Sequence, residues 1–326
     1  MTIPVLLLIL GLATVCAGAH FMVEGSSRIA SRFGISDMVI GMTVVAIGTS
    51  APEMVVSYLG AFKGSAGMAI GNVLGSNICN ILLIIGLSSL LYPLSVSKEN
   101  VNRDLIFVFL STIVLLIVSF DMQIGSMTID DDMSANYITR SDGMLLILFF
   151  VVFMVYSISS AKRKEEGSEA KKENSKKFNF WLALLMLVGG LAALIWGGNL
   201  LVNNATIIAK NAGVSDVVIG STIVAIGTSL PELATSVVAA LRKKVGLALG
   251  NVVGSNIFNV FLILGGCGVI APMPLESINH IHFIFLTVAT LLLLLTARTS
   301  FKIRRFEGAL LLAFYALYII VNLSVR

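Results

Sequence analysis

Charge is what this sequence has least of. Asp, Glu, Lys and Arg together make up 12% of its 326 residues, about half the share expected of a soluble domain of that length. With a mean hydropathy of +0.96, the chain belongs in lipid. Cysteine is also scarce. Cys16, Cys79 and Cys267 lie in apolar stretches at unrelated spacings, with no CxxC pair and no neighbouring His, a pattern of packed thiols rather than disulfides or metal ligands. His20, His280 and His282 are scattered near the ends of apolar stretches, as interfacial residues are, and do not read as a proton relay. No nucleophile–base arrangement or metal-ligating His motif falls in the apolar segments, which argues against an intramembrane enzyme. The basic patches read as ordinary loop charges and give no reason to invoke nucleic acid.

What the sequence does have is apolar length. Stretches long enough to cross about 30 Å of hydrocarbon as helices begin near Ile3, Met38, Met68, Leu105, Met144, Phe180, Val217, Leu247, Phe283 and Ala309. The expected fold is therefore all-α and integral to the membrane, with about ten transmembrane helices and no separate soluble domain. Met1 to Ala19 also has the small residues of a signal-peptide cleavage site, but it lacks Lys or Arg at its start and has a counterpart in the second half. It is read as the first span.

With ten spans starting outside, about eighteen Lys and Arg residues fall in cytoplasmic loops and four outside. The four are Lys63, Arg140, Lys210 and Arg326. This asymmetry predicts that both termini and the Asp130-Asp131-Asp132 loop face out, while the charged segment from Lys162 to Lys177 faces the cytoplasm. That segment has no apolar periodicity. It divides the chain into a first five-helix unit (1–160), a linker (161–178) and a second five-helix unit (179–326).

The two units are copies. A shift of 179 positions lays Ser36–Gly86 over Ser215–Gly265 without a gap, and 29 of the 51 pairs are identical, far beyond chance. Five spans per unit is an odd number, so the second unit enters the membrane in the opposite sense. Inverted repeats of this kind carry a substrate site near the midplane where they meet. The identities concentrate on polar residues, which lipid-facing helices do not need.

Glu53 and Glu232 stand at equivalent positions about fifteen residues into their spans, where an ionised carboxylate is costly unless it meets a cation. Each follows a proline, Pro52 or Pro231, within Gly48-Thr49-Ser50-Ala51-Pro52-Glu53 or Gly227-Thr228-Ser229-Leu230-Pro231-Glu232. Proline removes a helical N–H and should break the helix there. The break would turn carbonyls and hydroxyls of Ala46, Thr49, Ser50, Ala225, Thr228 and Ser229 into oxygen ligands beside the carboxylates. On the next span Asn72, Ser76 and Asn80 recur every fourth residue and form one polar stripe, repeated by Asn251, Ser255 and Asn259. Gly71 with Gly75, and Gly250 with Gly254, form GxxxG surfaces suited to close helix approach. The inventory is oxygen only, which favours hard cations over Zn²⁺ or Cu⁺. Glu24 could line an inner ion path or snorkel beside Arg28; its repeat partner is Asn203.

These paired motifs, with Gly75-Ser76-Asn77-Ile78-Cys79-Asn80 and its copy, resemble the two alpha-repeats of the sodium/calcium exchanger family within the calcium:cation antiporters. The resemblance covers the whole ten-span plan. It implies that Glu53, Glu232 and the Thr49 and Thr228 carbonyls hold Ca²⁺. It also implies Na⁺ positions at Ala46, Ser50, Ser76, Ala225, Ser229 and Ser255 with the glutamates, and Asn80 and Asn259 at the centre. Some relatives carry Asp where this chain has Asn259, and the large regulatory domains of animal exchangers are absent. The resulting expectation is a secondary antiporter of a prokaryotic cell membrane exchanging Na⁺ for Ca²⁺ without K⁺, with no cofactor and no obligate protein partner. H⁺/Ca²⁺ exchange and a cation channel remain the alternatives.

Overall fold

The computed structural model describes residues 2–121, 136–163, 179–212, 225–275 and 278–324. The acidic loop at 130–132, most of the charged linker and the first part of the span that begins near Val217 lie outside them. Nearly everything described is helical, as an unbroken apolar chain in lipid must be to satisfy its own backbone. The helices are α1 (Thr2–Arg32), α2 (Asp37–Thr49), α3 (Ala51–Phe62), α4 (Ala66–Leu91), α5 (Val101–Ser119) and α6 (Arg140–Arg163) in the first half. The second half holds α7 (Phe180–Asn211), α8 (Ala225–Thr228), α9 (Leu230–Leu241), α10 (Val245–Ile270), α11 (His280–Ser300) and α12 (Arg305–Ser324).

Among the described residues, eight helices are long and apolar enough to cross a membrane, and α2 with α3, bent by 49° at the break between them, makes a ninth if the pair is one span. The bend sits at Ser50, whose backbone leaves helical geometry (φ −80°, ψ 6°), and Pro52 falls in the first turn of α3. That is where proline's missing N–H costs nothing. The same geometry recurs at Ser229 (φ −87°, ψ 8°), with Pro231 in the first turn of α9. Helix starts elsewhere follow ordinary capping: Asn179 and Asn279 accept from the backbone N–H of Trp181 and Ile281 at 3.0 Å each.

The centre of the bundle is α4 and α10, each with 78% of its apolar stretch buried, against 22% for α1 and 28% for α7. Those two outer helices lie backbone to backbone. A methyl at Gly18 would stand 2.8 Å from the Gly190 carbonyl, and one at Gly190 would stand 2.7 Å from the Gly18 carbonyl. Such an approach is open only to glycine.

Four two-residue strands tie the halves together at the bundle ends. β1 (Leu94–Ser95) pairs antiparallel with β4 (Lys302–Ile303), and β2 (Tyr137–Ile138) with β3 (Met273–Pro274). Among the described residues, α9 follows the break at Ser229 as α3 follows the break at Ser50.

Candidate ion-binding site

The site lies where α3 and α9 begin, between α4 and α10. Glu53 and Glu232 are each in the first turn of their half-helix, so their carboxylates stand at the positive end of a helix dipole. Each is 1% exposed. Neither faces Lys or Arg among the described residues; hydroxyls from the opposite repeat serve them instead. Ser50 Oγ donates to Glu232 Oε1 at 2.9 Å, and Ser229 Oγ donates to Glu53 Oε1 at 3.1 Å. Ser229 also reaches Ser76 Oγ at 3.4 Å, and Ser255 Oγ reaches Glu232 Oε1 at 3.5 Å. Ala46, Thr49, Ser76, Ser255, Asn80 and Asn259 are all buried around this exchange. Ala225 and Thr228 open and close the short helix α8 beside it.

Several buried oxygens have no hydrogen-bond partner: Glu53 Oε2, Glu232 Oε2, Asn80 Oδ1, Asn259 Oδ1 and Asn256 Oδ1. A buried acceptor left unpaired costs on the order of 1–3 kcal/mol, more when charged. The unpaired second oxygens of the two carboxylates suit a hard cation, whose coordination shell would satisfy them. No group of three or more His, Cys, Asp or Glu side chains suited to a metal occurs among the described residues. The donor set therefore rests on two carboxylates and neutral oxygens.

Around this centre is a scaffold that the stripe pattern shows only in part. Asn72 Nδ2 donates to the Glu53 carbonyl at 3.1 Å and to Ser57 Oγ at 2.9 Å. Asn251 repeats this toward the Glu232 carbonyl (3.4 Å) and Ser236 Oγ (3.0 Å), and accepts from Thr49 Oγ1 at 3.0 Å. These amides clamp the broken helix starts onto α4 and α10. Asn77 and Asn256 link the two central helices: Asn77 Nδ2 donates to the Asn256 carbonyl at 3.2 Å, and Asn259 Nδ2 donates to Asn77 Oδ1 at 2.9 Å. Ser57, Ser236, Asn77 and Asn256 escape a reading based on every-fourth-residue spacing, although all four are identical between the halves. At Asn80 and Asn259 the helices widen into π turns, Cys79–Ile85 and Asn259–Leu264, a distortion common at functional sites.

The two GxxxG surfaces differ in what meets them. Gly250 and Gly254 take the backbone of α2 at Met38 and Met42, closer than any side chain would allow. Nothing described lies within 4 Å of a methyl placed at Gly71 or Gly75; the repeat counterparts of Met38 and Met42 fall outside the described residues. Glu24 stands away from the carboxylate pair, held by Arg28 and Arg242. Cys16, Cys79 and Cys267 are free thiols.

Comparison with known proteins places this geometry. The chain matches the sodium/calcium exchanger protein family over residues 3–159 and 182–324. It is 34% identical over 344 residues to the sodium/calcium exchanger MaX1 of Methanosarcina acetivorans, covering 98% of each chain. It is 33% identical over 324 residues to the inner membrane protein YrbG of Escherichia coli, covering 95% of this chain and 94% of that one. The solved structure of the sodium-calcium exchanger NCX_Mj soaked with 10 mM Na⁺ and no Ca²⁺ superposes with a TM-score of 0.81 at 36% identity, over 100% of both chains. Matching breaks at Ser50 and Ser229 and full-length similarity agree: the chain belongs to the sodium/calcium exchanger family.

Proposed function

We propose that this member of the family exchanges Na⁺ for Ca²⁺ by alternating access, at a single site built by Glu53 and Glu232, and without K⁺. The observation that carries the reading is the reciprocal bonding of Ser50 to Glu232 and of Ser229 to Glu53, with the second carboxylate oxygens unpaired. Two carboxylates neutralise one Ca²⁺, with the Thr49 and Thr228 carbonyls completing its shell. The same anions, spread over Ser50, Ser76, Ser229 and Ser255 and the carbonyls of Ala46 and Ala225, hold smaller monovalent ions in adjoining positions. Competition for shared anions couples the two fluxes without a relay. Asn80 and Asn259 supply amide oxygens at the centre and no further charge, so nothing there offsets an additional monovalent cation.

The units 1–160 and 179–326 act as the two inverted repeats, joined by a cytoplasmic linker, with both termini outside a prokaryotic cell membrane. The warrant for this orientation is the distribution of Lys and Arg. Thiol labelling of intact cells with an impermeant reagent tests it: cysteines placed in the termini should react and one in the linker should not, and the reverse pattern would invert the topology.

The test of function is Ca²⁺ uptake by proteoliposomes loaded with Na⁺, K⁺ or acidic buffer. Uptake with Na⁺ alone supports the reading. Uptake with acid would make the exchanged ion H⁺, and Ca²⁺ flux indifferent to every opposing gradient would indicate a channel.

A further inference from the structure

The repeat relates a cavity on one side of the bundle to packed side chains at the equivalent place on the other. A cavity of about 540 Å³ runs between α3, α7 and the α8–α9 break to Thr228 and Pro231, with Gly198, Asn199 and Asn203 on its α7 wall. Moving those wall residues back by 179 positions gives Ala19, His20 and Glu24 on α1. Ala19 is fully buried. Where the cavity would repeat, Thr235 of α9 packs on Met22 of α1, Oγ1 to Sδ at 3.8 Å.

Charge closes this end. Glu24 pairs with Arg28 on its own helix at 2.5 Å and with Arg242, just past α9, at 2.9 Å. Arg242 also contacts the His20 ring at 2.6 Å. A second pair lies beside it: Lys244 Nζ stands 3.7 Å from Asp37, which accepts from Ser27 Oγ at 3.2 Å. At the cavity end the repeat counterparts of Glu24 and Lys244 are Asn203 and Ser65. Neither pair can form there, whatever the conformation, because one partner of each is neutral.

We propose that Glu24–Arg242, backed by Asp37–Lys244, is an ionic clasp that holds α9 against α1 and α2 and keeps this end of the ion path shut while the other end is open. The clasp acts on the balance between the two open states and does not touch the transported ions. Its members are partly exposed, so each pair is a small bias on that balance rather than a lock. A small bias suffices in a carrier that must open both ways. This inference rests on the alternating-access reading above.

The test uses the full chain with Cys16, Cys79 and Cys267 changed to Ala and one reporter thiol at a time, Ala19→Cys or its repeat mate Gly198→Cys. Gly198 has open space around it. Labelling rates with a charged maleimide are measured in detergent, where both ends meet water. Without further change, Gly198→Cys should react and Ala19→Cys should be protected. Glu24→Gln or Arg242→Gln should speed labelling of Ala19→Cys by about two- to fivefold and slow that of Gly198→Cys, while Arg242→Lys should keep the protection. Unchanged rates overturn the clasp. So does a rise at both reporters together, which would mean general loosening. Ca²⁺ uptake by the same preparation separates the readings, because a parent that shows the labelling shift but no exchange refutes the function and leaves the clasp standing.

Discussion

Ser50 donates its hydroxyl to Glu232 across 2.9 Å although the two residues are 182 positions apart. The mirror bond from Ser229 to Glu53 is 3.1 Å long. Neither half-site is complete alone, because each carboxylate is held by a hydroxyl from the other repeat. Relative movement of the repeats therefore acts directly on the geometry around both carboxylates.

Glu53→Gln and Glu232→Gln should each lower Ca²⁺ transport by about a hundredfold or more, since each removes half the formal charge that replaces the water of a divalent ion. Both variants should fold, because a neutral amide is less costly than a carboxylate at that depth. Flux in proteoliposomes and calorimetric Ca²⁺ binding check this. Near-normal transport by either variant would exclude a site of two carboxylates.

Ser50→Ala and Ser229→Ala should each weaken ion binding by about tenfold, the loss expected when a hydrogen bond to a charged acceptor disappears. The effects should couple across the repeats. In a double-mutant cycle, Ser50→Ala should interact with Glu232→Gln more strongly than with Glu53→Gln. Equal coupling to both glutamates would mean that the crossed arrangement is not the one that binds ions.

How much of this was legible in the sequence depends on what a repeat can say. It identifies equivalent positions, so the break before Glu53, its copy before Glu232 and the stripe of Asn72, Ser76 and Asn80 could all be located. It does not say which equivalent residues touch. The crossing of Ser50 to Glu232, and the bond from Thr49 to Asn251, depend on how the units interlock. Asn77 and Asn256 were missed for a different reason. They sit one residue beyond Ser76 and Ser255, off the expected face, and serve the contact between α4 and α10. Glu24 read equally as a path-lining or a snorkelling residue, and only its approach to Arg242, 218 positions away, shows what it faces.

Asn259→Asp should change how Ca²⁺ flux depends on pH or K⁺, whereas flux through the unmodified protein should be indifferent to K⁺. The new carboxylate would replace an amide that donates to Asn77 and whose oxygen is unpaired. It would add a third anion beside Glu53 and Glu232 that calls for a proton or another cation. Flux measured over a pH series, with K⁺ or choline as the balancing ion, reads the change. A variant indistinguishable from the parent would reduce Asn259 to a helix-packing residue.

Gly254→Ala should lower the thermal midpoint in detergent by roughly 5 °C, since overpacking a close-packed contact is destabilising. The added methyl would run into the Met42 carbonyl and stand 2.6 Å from Cβ of Ala46. Gly198→Ala, with nothing described within 4 Å, should leave the midpoint nearly unchanged. Equal effects at the two positions would argue against the close contact of α10 with α2.

The central claim is that the crossed carboxylate site exchanges Na⁺ for Ca²⁺ and needs no other ion. The most direct measurement is initial Ca²⁺ uptake by proteoliposomes loaded with Na⁺, compared with vesicles loaded with K⁺ or acidic buffer, each diluted into medium with choline as the balancing cation. The account predicts uptake from Na⁺-loaded vesicles alone, unchanged when K⁺ is added to either side. Uptake driven by the acidic interior, or Na⁺-driven uptake that strictly requires K⁺, would contradict it.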